Sequence, residues 1–510
     1  MKYAWITALL AVLPTVPMMI VSAESYDEFT ARIDTEVRQQ YEEFPYPRKP
    51  VTSNVNRIPM MRSSDLQVIN QYVWDGNRDL ADNTRPLRFL VAGCGTGDGV
   101  FMLAAQASAW APHAEVIALD FSGASLNLAK KRLAAWPKKA FTVNITFVQG
   151  SILSLASMGL GKFDFINCIG VLHHVADPAA ALRQLEQVLQ PDGGMALMVY
   201  GKYGRQALEP MYKMAKLIQE MSGKPARDAD TLKNVRWLRS VLPKYHQIHE
   251  WQGGEKDHNK HLYADDSLVD DFFHPHYVDY DLDDVLTFLA AADMKLSGFV
   301  LPAFYNPTHH ITVSAEQLAS ITANMSWIQQ AKLAEHMSSV LGKHTVFVIK
   351  SHRESAAERD IDETTVPLLR VECAISKAVK TFEQSREIID SGTLTFPHEY
   401  LGITSEYSWP IPPNTLKILP LLDGTHTVGE IVDKLQTQEH DDCVDRSENS
   451  LFGWLQQCIQ TAPNMTAEVH MLARSLSEMG HLSLNQIKLP QGAKVPLNNQ
   501  KPKCQRFNVT

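Results

Sequence analysis

Three glycines, Gly93, Gly95 and Gly97, alternate with small residues in "VAGCGTGDG" (residues 91–99), directly behind the apolar run "LRFL". A glycine-rich turn after a buried strand lets a ligand meet backbone N–H groups at the start of a helix. Asp120 closes the next apolar run, "EVIALD". A carboxylate there can accept hydrogen bonds from both hydroxyls of a ribose. Spacing narrows the ligand further. The dinucleotide fingerprint G-x-G-x-x-G requires a third glycine at position 98, which is Asp98. No G-x-x-x-x-G-K-[ST] occurs, which excludes a P-loop. The groups able to move a proton nearby are His173 and His174, behind "KFDFINCIG", and Tyr46 in "YEEFPYPRKP". Histidine titrates near neutrality and can act as a base. Tyr41, Tyr200 and Tyr203 join them as residues that could reach a ligand. The plain alternative is a pair of loop histidines ordering a turn with Asp177, and tyrosines that pack.

These residues need a scaffold, and the chain alternates as one would. "LRFLVA", "EVIALD", "NITFVQG", "KFDFINCIG" and "GMALMVYG" read as strands. Between them, residues 98–109, "ASLNLAKKRLAAW" and "DPAAALRQLEQVLQ" have helical spacing, the last ending at Pro191 and Gly193. Such alternation predicts a parallel, doubly wound α/β sheet, because parallel strands need helical crossovers. "DLDDVLTFLAAADM" continues as a helix, "KLSGFVL" and "HTVFVIK" as strands, and one long helix is expected over about 313–340. The sheet therefore has seven strands and closes near residue 351. Residues 24–60 read as polar and helical before prolines 45, 47 and 50 break the pattern. Residues 203–275 form a mixed-charge, helix-prone insertion.

Four segments carry a resemblance. "FLVAGCGTGDG", "VIALDFSGASLNLAKKRL", "FVQGSIL" and "FDFINCIGVLHHVADPAAALRQLEQVLQPDGGMALMVYGKYGR" are similar, in order and spacing, to the motifs of class I S-adenosylmethionine-dependent methyltransferases, of the methyltransferase domain type 11/12 kind. "QQYEEFPYPRKP" and "DSLVDDFFHPHYVDYDLDDVLTFLAAADMKLSGF" resemble segments flanking the core in one bacterial-type subgroup. The resemblance implies a Rossmann-like methyltransferase sheet and S-adenosyl-L-methionine as cofactor. It implies that Gly93, Cys94, Gly95 and Gly97 take the methionine part against the backbone. Asp120 would hold the ribose, Phe121 would lie beside the adenine, and Ser151 and Ile152 would meet its edge. Ile169 and Gly170 would line the floor below the methyl group. Two positions depart from the family: Ser151 stands where an acid is usual, and Val91 where one is frequent. The catalytic residue is left open, with His173, His174 and Tyr46 as candidates.

The chain has 510 residues and a net charge of -9. Its length implies several domains. We expect a leader at 1–23, an N-terminal helical cap at 24–84, the methyltransferase domain at 85–351 and an accessory domain at 365–484. Residues 485–510 read as a polar tail. Helices followed by a short strand make the accessory domain a small α+β unit, winged-helix-like in the order of its elements. The acidic balance argues against nucleic acid as partner, leaving a small-molecule or protein substrate. Six cysteines form no C-x-x-C. His246, His249, His258, His261, His274 and His276 lack H-E-x-x-H spacing, so they are read as part of a substrate-covering insertion and no metal is expected. "MKYAWITALLAVLPTVPMMIVSA" has the pattern of a signal or anchor. A methyl donor made in the cytosol favours the cytoplasm, with the secretory pathway or a membrane anchor as the alternative. The competing function is a non-catalytic S-adenosylmethionine-binding regulator with a C-terminal partner-binding module.

Overall fold

The computed structural model describes residues 25–51, 62–137, 140–225, 227–249, 264–311, 316–339 and 341–355, and beyond them 366–369, 393–400, 403–410, 426–435 and 482–485. The expected leader, His258, His261 and the tail beyond 485 lie outside these residues.

The sheet is built from β1 (Arg88–Ala92), β2 (Glu115–Asp120), β3 (Asn144–Gln149), β4 (Phe163–Ile169), β5 (Leu189–Gly201), β7 (Met294–Phe299) and β8 (Lys343–Lys350). Its order is β3-β2-β1-β4-β5-β8-β7. The first five run parallel, and β8 is antiparallel to both of its neighbours. This is the expected seven-stranded sheet with one addition. The two-residue β6 (Asp279–Tyr280) pairs with the end of β5. β1, β2 and β4 are near-continuous apolar runs because helices cover both faces.

One face carries α5 (Pro178–Gln187) and α10 (Leu282–Ala290), packed on Leu90, Ile117, Leu119 and Ile166. The other carries α2 (Leu66–Trp74) and α3 (Asp98–Trp110), packed on Phe89, Val91, Phe165 and Phe347. Phe89, Phe165 and Phe347 are fully buried, each a side chain whose truncation to alanine costs about 3–5 kcal/mol. Asp65 caps α2 by accepting from the N–H groups of Gln67 and Val68, and the helix is buried along its whole length. That helix was not singled out in the sequence; its polar residues Gln67, Asn70 and Gln71 recur at helical spacing, but they are buried with the rest.

Several boundaries differ from expectation. The first helix, α1 (Tyr26–Glu43), starts at a Ser25–Glu28 capping box and stops at Phe44, well short of residue 60. α5 ends at Gln187, and β5 begins at Leu189, ahead of Pro191 and Gly193. The single helix expected over 313–340 is two, α11 (Glu316–Thr322) and α12 (Trp327–Ser338). Ser326 caps the second in a box with Gln329, so the break is written in local hydrogen bonding. The insertion folds as the single turn α6 (Lys202–Arg205), then α7 (Glu209–Ser222), α8 (Ala229–Val241) and α9 (Asp265–Phe272). It has a small core of its own, including Met211, Val235, Leu268 and Phe272.

In the C-terminal region, β9 (Val366–Leu369) pairs antiparallel with β12 (Leu482–Asn485). β10 (Thr393–Tyr400) and β11 (Ile403–Pro410) form an antiparallel hairpin, which the sequence reading did not anticipate. Residues 428–435 form a helix capped by Thr427, whose hydroxyl accepts from the Glu430 N–H. The helix expected before β12 lies outside the described residues.

Candidate functional site

The strand order reverses between β1 and β4, the neighbours whose connections leave in opposite directions. The loops at their carboxyl ends therefore part and leave a crevice, as open α/β sheets do. A cavity of about 660 Å³ fills it. Its wall includes Gly93, Cys94, Gly95, Asp120, Phe121, Ser151, Ile152 and Ile169, all named from the sequence, together with Gly170. Gly97 is not in that wall. It sits at the N-cap of α3 with φ +102°, and a Cβ there would meet Phe101 and Ala129. It allows the helix to start against its neighbours.

Gly93 has φ +70°, and a Cβ on it would come within 2.4 Å of Val171, in the loop after β4. The two loops thus touch at a glycine because no side chain fits between them. The bend is also covered from the N-terminal side. A Cβ on Gly95 would lie 2.9 Å from the Tyr46 carbonyl oxygen, and the Thr96 hydroxyl donates to the Pro47 carbonyl at 2.7 Å. Arg132, on α4 (Gly123–Ala134), donates to the Thr96 carbonyl at 2.7 Å and pairs with Asp98 at 2.6 Å. Glu42 of α1 accepts from the first two N–H groups of α4, at 2.6 and 2.9 Å. The proline-rich segment is therefore a strap across the glycine bend.

Asp120 accepts from the Gly95 N–H at 2.7 Å and from the Ser122 N–H at 2.9 Å. It is 7% exposed, and burial pushes its carboxyl up to about 6 against the pull of those backbone donors. A carboxylate has about four acceptor positions, so acceptor capacity remains for a ligand. The Ser151 hydroxyl accepts from the Leu153 N–H at 3.2 Å, which turns it toward its own chain. Cavities of this volume hold a ligand of nucleoside size together with a second small group. The open glycine bend, a buried carboxylate with acceptor capacity to spare and the aromatic Phe121 on one wall fit an adenosyl group.

The proton-moving candidates separate. His174, Tyr41, Tyr46 and Tyr200 line the cavity. His173 does not: it is fully buried, its ring 3.7 Å from that of Tyr200. Burial and the neighbouring His174 hold its imidazole well below the usual range. Tyr203 packs against His336 instead, away from the cavity. His174 donates from or accepts at Nδ1 opposite the His276 carbonyl, 3.0 Å away. A carbonyl only accepts, so Nδ1 carries the proton. Burial pushes His174 down to about 3.

Residues the sequence reading passed over complete the far wall. Asp270 and Asp271 come from α9, and Arg205 from α6. Among the described residues, the insertion's histidines do not assemble as one group. His246 accepts from the Ile248 N–H in its own loop, whereas His274 is buried and stacks on His174 at 3.7 Å. Among the described residues, His174, Asp270 and His274 present ligating atoms within 4.8 Å of one another. The Nδ1 of His274 accepts from the His276 N–H at 3.2 Å, so the neutral ring carries its proton on Nε2, facing the Tyr41 oxygen at 3.2 Å; a cation bound at Nε2 would have to displace that proton. The signal for this wall was "DDFFHPHY", where paired acids run into a His-Pro turn.

Residues 84–253 match the family described as a methyltransferase domain. An uncharacterised protein of Synechococcus sp. is 30% identical over 212 residues, which is 42% of this chain and 48% of that protein. The ubiquinone biosynthesis O-methyltransferase of Albidiferax ferrireducens is 30% identical over 163 residues, 28% of this chain and 59% of the relative. The tRNA 5-carboxymethoxyuridine methyltransferase of Escherichia coli K12 is 31% identical over 140 residues, 27% and 50% of the two chains. The chain thus spans about half the length of the curated relatives it matches. Among solved structures, PKMT2 from Rickettsia typhi in complex with AdoHcy aligns over 87% of this chain and 78% of its own, with a TM-score of 0.52 and 14% identity. That likeness is one of fold.

Proposed function

Taking this chain as one that carries a class I S-adenosylmethionine-dependent methyltransferase domain, we propose that the whole protein binds S-adenosylmethionine and transfers its methyl group to a small-molecule or protein acceptor. The observation that carries the reading is the continuity of one cavity. It joins the glycine bend and Asp120 at one end to Tyr200 and Asp270 at the other. Gly93, Cys94 and Gly95 would hold the methionine part, Asp120 the ribose, Phe121, Ser151 and Ile152 the adenine, and Ile169 would floor the methyl group. Bound there, the sulfonium supplies a methyl group on an already activated leaving group. What is left to the chain is alignment of the acceptor and exclusion of water. The strap over Tyr46–Pro47 and the insertion helix α9 would enclose the cavity for that purpose.

The division into a cap at 24–84, a catalytic domain at 85–351 and an accessory domain at 365–484 belongs to this proposal. So does a non-nucleic-acid acceptor, supported by the net charge of -9. Calorimetry with S-adenosylmethionine and S-adenosylhomocysteine tests the binding step, with Asp120→Ala as the control that should lose it. Tritiated S-adenosylmethionine incubated with a cell extract tests transfer. Binding without incorporated label would favour the regulatory reading instead.

A further inference from the structure

We propose that Asp270 is the general base of this cavity, taking the proton from a hydroxyl or amine acceptor as that acceptor attacks the methyl group. The inference rests on the transfer reading above and names the acceptor chemistry of the same site.

Geometry carries it. Asp270 is 4% exposed, on α9, and what exposure it has is to the cavity. Each of its oxygens receives one phenol. Tyr41 donates to Oδ1 at 3.0 Å and Tyr200 to Oδ2 at 3.3 Å. Two acceptor positions of the carboxylate remain free for a substrate proton. The phenols are themselves fixed. The Arg205 guanidinium lies 3.5 Å over the Tyr200 ring, and His173 lies 3.7 Å from the same ring. Tyr41 is held by His274. The carboxylate is thus oriented from three elements, α1, β5 and α9, a preorganised arrangement rather than a solvated acid.

The neighbours do not compete for the proton. Burial holds His174 and His274 well below neutrality, so both rings stay neutral and neither takes up a second proton there. Burial raises Tyr41, Tyr46 and Tyr200 well above their ordinary value, so none gives one up. Asp270 lies between. Burial, then Asp271, push it up to about 7, while Tyr41, Arg205 and Tyr200 pull it down. A base matched to the working pH is the efficient one.

The wall also selects the acceptor. Arg205 and Lys343 line the cavity, but Asp34, Asp98, Asp120, Asp270 and Asp271 outnumber them there, and of these Asp98 is paired with Arg132. An anionic acceptor would enter against the remaining acidic excess, whereas one that still carries its proton would not. In the step, the acceptor's lone pair forms the new bond to the methyl carbon. The carbon–sulfur bond breaks with its electron pair going to sulfur, leaving a neutral thioether. The acceptor's proton passes to Asp270, which becomes a neutral carboxylic acid. The positive charge of the sulfonium and the negative charge of the carboxylate disappear together.

The test uses the full chain, wild type and Asp270→Asn, with Asp270→Glu as the conservative variant. Calorimetry with S-adenosylhomocysteine should give the same Kd for all three, which also shows that the variants fold. Label from tritiated S-adenosylmethionine into a cell extract should fall at least 100-fold in Asp270→Asn and recover in part in Asp270→Glu. The wild-type rate should climb with pH to a plateau above about 7, and the residual Asp270→Asn rate should lack that limb. An infrared carboxyl band titrating near neutrality in the wild type and missing from Asp270→Asn reports the group without turnover. The assignment is overturned if Asp270→Asn labels within threefold of wild type, or if the label sits in base-labile methyl esters. Failure of the wild type to bind or to label overturns the transfer reading itself, and this one with it.

Discussion

The buried carboxylate at the end of β2 makes ligand affinity a function of pH, and the sign follows from its surroundings. Asp120 titrates at about 6 in the free protein, against 3.8 for an unperturbed aspartate, chiefly because it is buried. The folded state therefore holds this proton more tightly than the unfolded chain. Its contribution favours folding at low pH and is lost as pH rises from about 4 to 6. Keeping the group ionised at neutral pH costs the fold roughly 3 kcal/mol. A ribose that donates two hydroxyl hydrogens offsets part of that cost and is recognised only by the ionised form. At pH 5 about a tenth of the protein is ionised at this site, so affinity for S-adenosylhomocysteine should fall about tenfold between pH 7 and pH 5. The slope should approach one decade per pH unit below the free-protein value. Asp120→Asn keeps the shape and one acceptor oxygen. It should weaken binding by roughly 100-fold at pH 7, the worth of two charge-assisted hydrogen bonds reduced to one neutral one, and should show no slope. Calorimetry on both proteins from pH 5 to 8 reads both quantities. A wild-type Kd that stays constant across that range, or an equal slope in Asp120→Asn, would refute the reasoning.

Other perturbations have equally definite outcomes. Gly93→Ala forces an L-residue to φ +70° and a Cβ to 2.4 Å from Val171, so we expect about 2–4 kcal/mol of destabilisation in urea unfolding and loss of S-adenosylhomocysteine binding. Arg132→Ala removes the donor to the Thr96 carbonyl and leaves Asp98 without its partner; about 2–3 kcal/mol should go, with weaker binding because the glycine bend loses its support. Tyr41→Phe removes a donor that lowers the Asp270 value. The acid limb of label transfer should then move to higher pH, with S-adenosylhomocysteine affinity unchanged. Glu42→Ala strips the acceptor from the first N–H groups of α4 and should cost about 1 kcal/mol, read as a small drop in the denaturation midpoint.

What could be read from the chain alone was whatever is encoded locally. β2 and β3 fall on the expected runs, because an apolar stretch bounded by turn residues has one good home in a parallel sheet. The helix starts at Ser25 and Asp281 are likewise local, each a capping box within four residues. The glycine bend and Asp120 were legible because a tight backbone turn and a strand-closing acid are reported directly by Gly and Asp. Long-range decisions were not legible. α2 has a polar face at Gln67, Asn70 and Gln71, and that this face is buried is a tertiary outcome. His274 faces Tyr41 across 233 residues of chain, and the value of Asp270 depends on Tyr41, 229 residues away. Nothing in "VDDFFHP" distinguishes a solvated acid from one clamped by two phenols. Only the packing of α1, β5 and α9 around one cavity removes the water that would otherwise make those side chains ordinary.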